Sequence, residues 1–75
     1  MSKQPQCPFK DAFVGDKPET IANPYTGQSC ELTPDAVATY DIIKGAEQLG
    51  QIKAVRKGLD WFIKHYTKEY MILLD

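Results

Sequence analysis

The sequence predicts a mainly α fold: an antiparallel helical hairpin and a short C-terminal helix, with an extended N-terminal arm that admits a small β-hairpin. Three observations lead there. All five prolines fall within the first 34 residues, a stretch with no sustained 3.6-residue periodicity. Thr33-Pro34-Asp35 then sets a capping hydroxyl, a proline at the first helical position and an acid near the positive end of the helix dipole. Beyond it, apolar residues recur at helical spacing with one interruption, at Gly50.

Residues 1–32 form the arm. Within it, Asn23-Pro24-Tyr25-Thr26-Gly27 carries turn chemistry: Asn caps a turn, Pro presets φ and Gly tolerates positive φ. Short extended runs at Thr20–Ala22 and Gln28–Leu32 flank it. An isolated two-stranded hairpin is marginal in water, so the arm must lean on the helices. Phe9, Phe13, Ile21 and Leu32 are its expected anchors.

The helical part covers residues 33–75. The first helix is expected over 34–49, with Ala36, Tyr40, Ile43 and Ala46 to Leu49 on its apolar face. The second, over 51–66, sets Ile52, Val55, Leu59, Phe62 and Tyr66 on one face and Lys53, Arg56, Lys57, Asp60 and Lys64 on the other. Beside its core face runs a further row, Ala54, Gly58, Trp61 and His65. Thr67 is placed to cap a last helix, Lys68–Leu74, that presents Tyr70, Met71, Leu73 and Leu74. Gly45 and Gly58 each cost a helix about 1 kcal/mol relative to Ala. Antiparallel pairing about Gly50 and Gln51 sets 45 opposite 56 and 58 opposite 43, so both glycines are expected at a close helix crossing.

Composition bounds the function. Seventy-five residues, 43% hydrophobic and 25% charged, describe a single domain over 1–75. So short a chain buries only about 60% of its unfolded surface and has little material to wall off a pocket. With no paired acid and base and no complete metal set, it is not expected to be an enzyme or to hold a cofactor. Cys7 and Cys30 read most simply as free thiols in a reducing cytoplasm, a bridge between them staying open. Even with His65 they lack the closely spaced pair typical of zinc sites. Met1–Lys10 has no apolar signal core, and the longest apolar run is Tyr70–Leu74, far short of the roughly 20 residues that span a bilayer. The expectation is a cytoplasmic protein without membrane association.

The leading functional expectation is a small, non-enzymatic protein-binding module, with candidate contacts at Trp61, His65, Tyr70 and Met71. For Trp61 the competing role is core packing against Phe9 or Phe13; for Tyr70 to Leu74 it is folding back onto the hairpin, or forming a homodimer. A nucleic-acid-binding regulator would use Lys53, Arg56, Lys57 and Lys64. Net charge is -1, so no global positive field favours nucleic acid. The charge is unevenly divided, net negative over residues 1–43 and net positive over 44–75. Ala46, Leu49, Gly50 and Leu59 fit a helix-turn-helix pattern, but Arg56 occupies an offset that the motif fills with a buried aliphatic residue. A minor structural or homo-oligomeric component is the remaining alternative.

The segments Asn-Pro-Tyr-Thr-Gly (23–27), Glu-Leu-Thr-Pro-Asp-Ala-Val-Ala (31–38), Arg-Lys-Gly-Leu-Asp-Trp-Phe (56–62) and the ending Tyr-Met-Ile-Leu-Leu-Asp look like those of small uncharacterised proteins of tailed bacteriophages, particularly marine ones. The resemblance covers residues 20–75 and carries no functional residue. It implies expression in an infected bacterium and an accessory role on a host or phage protein, or a minor structural one.

Overall fold

The structure, a computed structural model, describes residues 5–10 and 12–74. Two strands, β1 (Glu19–Ala22) and β2 (Ser29–Leu32), precede three helices, α1 (Pro34–Leu49), α2 (Ile52–His65) and α3 (Thr67–Leu73). The mainly α fold with a small β-hairpin is therefore the one the sequence implies.

The strands pair antiparallel, with Ile21 opposite Cys30 and Glu19 opposite Leu32. Their turn is closed by Asn23 N–H donating to the Gln28 carbonyl at 2.7 Å and Gly27 N–H to the Asn23 carbonyl at 2.8 Å. Gly27 has φ 79°, a left-handed conformation that only a residue without Cβ adopts at no steric cost. Strand alternation turns Ile21, Cys30 and Leu32 inward. They pack onto the helices, the support that a lone hairpin needs.

Local chemistry fixes both ends of α1. The Thr33 hydroxyl accepts from Ala36 N–H at 3.3 Å, and Pro34 begins the helix. At the other end Gly50, with φ 72°, directs its N–H back to the Ala46 and Glu47 carbonyls. The helix reverses there, and Gly58 on α2 comes against Ile43 on α1, the pairing that the antiparallel register requires. A Cβ on Gly58 would lie 2.5 Å from Ile43 Cγ1 and 2.9 Å from Cδ1. Close crossing is thus confined to one glycine. Gly45 is exposed with nothing within 4 Å of the equivalent position, so it takes no part in the crossing, contrary to expectation.

The core is Leu32, Ala36, Val37, Ile43, Phe62 and Leu73, with Tyr40, Val55, Leu59, Trp61, Tyr66 and Tyr70 packed partly against it. Every element except β1 contributes a buried side chain. The C-terminal segment folds back, with Leu73 buried and Ile72 and Leu74 against the core.

Several expectations about individual residues are overturned. Phe13 is 88% exposed and anchors nothing; the other expected anchors, Phe9, Ile21 and Leu32, do hold the arm, and Cys7 joins them. Leu49 and Ile52, assigned to the inner faces, are 73% and 70% exposed. They flank the Gly50-Gln51 connection, at the end of the hairpin beyond the reach of the β-hairpin and α3. α2 stops at His65, and Tyr66, with φ -137° and ψ 58°, forms the joint to α3. Thr67 lies inside α3 rather than capping it, and its hydroxyl donates to the Ile63 carbonyl one turn back.

Candidate functional site

Of the four residues expected to contact a partner, Trp61 and His65 are brought together and Tyr70 and Met71 are turned apart. Trp61 is half-buried at the α2–α3 joint, its ring centroid 5.8 Å from Phe62 edge-on, 5.5 Å from His65 and 5.5 Å from Tyr66. Its aromatic neighbours are thus on its own helix and at the joint, and packing against Phe9 or Phe13 is not what the structure shows. Phe9 lies instead 3.5 Å from the position of a Gly58 Cβ, with the Lys57 ammonium 5.4 Å from its ring centroid. Exposed His65 closes α2. On α3, Tyr70 packs against the core and Met71 points outward, 62% exposed. Most of the Trp61 surface is therefore engaged in folding, and a partner would find His65 and Met71 separately.

The basic residues Lys53, Arg56, Lys57 and Lys64 are all exposed along α2. Asp60 interrupts the row that Lys53, Lys57 and Lys64 share, and Lys57 is committed to the arm by its position over Phe9.

A different apolar surface stands at the hairpin tip. Leu49 ends α1, Ile52 begins α2, and between the helices opens a cleft of about 250 Å³ lined by Ala46, Glu47, Gly50, Ile52 and Val55. Glu47 supplies the one charged side chain of that lining. Periodicity assigned Leu49 and Ile52 inward because it cannot register where the neighbouring layer ends. The signal that marks them is their position on either side of a two-residue reversal.

Two polar clusters hold the frame around these surfaces. The buried Asn23 carboxamide accepts from Tyr25 N–H at 2.9 Å and donates to the Ile72 carbonyl at 3.0 Å. It therefore shapes the turn and satisfies one of the carbonyls that the end of α3 leaves without an intrahelical donor. At the start of α1, Asp35 accepts from Cys7 N–H at 2.8 Å, while the buried Thr39 hydroxyl donates to the Asp35 carbonyl and lies 3.2 Å from Cys7 Sγ. Tyr66 adds its hydroxyl 3.1 Å from that of Thr33, tying the α2–α3 joint to the α1 cap.

Both cysteines are free thiols, Cys7 against α1 and Cys30 against the core. Burial, and then the nearby Glu69 carboxylate, push the Cys30 thiol above its ordinary value of 9.0, because each disfavours the thiolate. No group of three His, Cys, Asp or Glu side chains that could hold a metal ion occurs among the described residues. Among them, too, no helix is long and apolar enough to cross a membrane. Comparison with protein-family models, with curated proteins and with solved structures gives no match to this chain.

Proposed function

We propose that this chain is a small, non-enzymatic protein-binding module, acting in the cytoplasm, whose principal contact surface is the tip of the α1–α2 hairpin. The observation that supports this reading is the exposure of Leu49 and Ile52 at the hairpin tip, with Ile52 lining the cleft between the helices. A domain this small has few large apolar side chains to spare from its core. Two of them held outward at one end of the hairpin, Ile52 lining an apolar hollow there, are the composition of an interaction surface. His65 and Met71 become secondary contacts on this reading. The resemblance to tailed-phage proteins is compatible with an accessory role on a host or phage protein.

The test compares proteins retained from a bacterial lysate by the immobilised wild-type chain, the Leu49→Ser/Ile52→Ser variant and a Lys64→Glu control. Specific retention is expected to persist in the control and to be lost in the tip variant. Equal retention by all three would move the contact surface elsewhere.

A further inference from the structure

We infer that residues 5–10 are a releasable strap: they seat Phe9 in the notch that Gly58 leaves on α2, and they lift away while the rest of the fold stays intact. The inference does not depend on the binding surface at the hairpin tip. The strap's contacts are few. Half-buried Phe9 stands 3.5 Å from where a Gly58 Cβ would be, with the Lys57 ammonium 5.4 Å from its ring centroid. Cys7 N–H donates to the Asp35 carboxylate at 2.8 Å, and Cys7 Sγ lies 3.2 Å from the Thr39 hydroxyl. Open clefts of about 510 Å³ and 400 Å³ border Phe9, so the ring is held in its notch without being enclosed.

What lies beneath the strap does not rely on it. Among the described residues, the core cluster and the side chains packed against it begin at Ile21 and include none from 5–18. The buried Thr39 hydroxyl donates to the Asp35 carbonyl at 2.8 Å, so lifting Cys7 orphans no buried polar group there. The Asp35 carboxylate, in the first turn of α1, exchanges the Cys7 N–H for water. The connection also permits the motion. Residues 13–18 are exposed throughout and lead to β1 at Glu19, so the strap can leave without moving the β-hairpin.

Ordering works against the seated form. Each strap residue gives up backbone freedom when it seats, and the return is one ring in a notch, one bond from a backbone N–H and a weak thiol contact. Pro5 and Pro8 reduce that loss, because their fixed φ narrows the unseated chain. The opposing contributions are of similar size, which puts the open form at on the order of 1% of molecules. The Gly58 notch is thus filled by the chain's own Phe9 and becomes accessible only when the strap lifts.

Amide hydrogen exchange of the full chain, followed residue by residue by NMR, tests it. The Cys7 amide is expected to be protected about 100-fold relative to an unstructured chain, far less than the Ile43 and Phe62 amides within the helices. It should keep that protection in low urea while theirs falls, because its opening exposes little surface. Phe9→Ala is expected to lower the Cys7 protection about tenfold and leave Ile43 and Phe62 unchanged. Lys57→Met, at an exposed position, should lower it about threefold, and decides the matter if Phe9→Ala does not fold. Cys7 exchanging together with Ile43 and Phe62 overturns the inference, because the strap would then be released only by global unfolding. So does a Cys7 amide without protection, since Phe9 would then not be seated, or one that neither variant changes.

Discussion

Gly58→Ala is expected to destabilise the fold even though it improves helix propensity. In an exposed helix interior the substitution would contribute about 1 kcal/mol of stability. At position 58 the new methyl arrives 2.5 Å from Ile43 Cγ1 and 2.9 Å from Cδ1, where carbon atoms rest at about 3.5–4.0 Å. Ile43 is fully buried and stiff at χ1, so relief must come from a shift of α2 relative to α1. Overpacking of this kind costs about 1–3 kcal/mol. Set against the propensity gain, the net loss is about 1 kcal/mol, which in a domain of this size lowers Tm by about 4–8 °C. Thermal unfolding followed by far-ultraviolet circular dichroism measures it. Gly45→Ala supplies the control, because nothing lies within 4 Å of its new methyl; it should raise Tm by a similar amount. Ile43→Ala removes both crowding atoms, so adding Gly58→Ala to it should do no further harm and should give a favourable coupling energy of about 1 kcal/mol. A rise in Tm for Gly58→Ala, or equal shifts for the two glycines, would refute the close crossing.

Asn23→Asp keeps an oxygen for Tyr25 N–H but replaces the donor to the Ile72 carbonyl with a carboxylate facing the negative end of α3. Chemical denaturation at pH 7 should show a loss of about 1–3 kcal/mol. Its folded state favours the protonated carboxyl, so the lost stability should partly return as the pH falls from 7 toward about 4. Tyr66→Phe removes the hydroxyl beside Thr33 without disturbing the ring contacts, and should cost about 0.5–1.5 kcal/mol in the same assay. Cys30 is expected to alkylate slowly at pH 7–8 because its thiol is held above 9.0 by burial and by Glu69, and Glu69→Gln should speed the reaction. The same upward shift contributes stability that is present below pH 9.0 and lost as the pH rises through the folded value.

What the sequence made legible is what short-range chemistry decides. Thr33-Pro34-Asp35 and Gly50 fixed both ends of α1, and Asn23 with Gly27 fixed the β-turn. Long-range contacts escaped it. That Asn23 reaches Ile72, 49 residues away, follows from how the β-hairpin lies against α3, and no spacing rule encodes that. Gly45 and Gly58 look alike in sequence, and only the depth of the crossing tells them apart. The candidate site was partly legible. Trp61 and His65 share one row and come together, but Leu49 and Ile52 were assigned inward because helical periodicity gives the direction of a side chain and not the extent of the layer it faces.

The bond from Asn23 to the Ile72 carbonyl also bears on how the domain is made. Synthesis is vectorial, and the β-hairpin and Leu32 are made before α3 exists. Until residues 67–73 arrive, the inward face of β2 has lost a neighbour, and Asn23 has no carbonyl to receive its amide. Closure of this fold is therefore a late event, completed only after translation has passed residue 73. A stalled or shortened product ending before Leu73 would present exposed strand edges and a partly uncovered Leu32, the kind of surface that protein quality control engages.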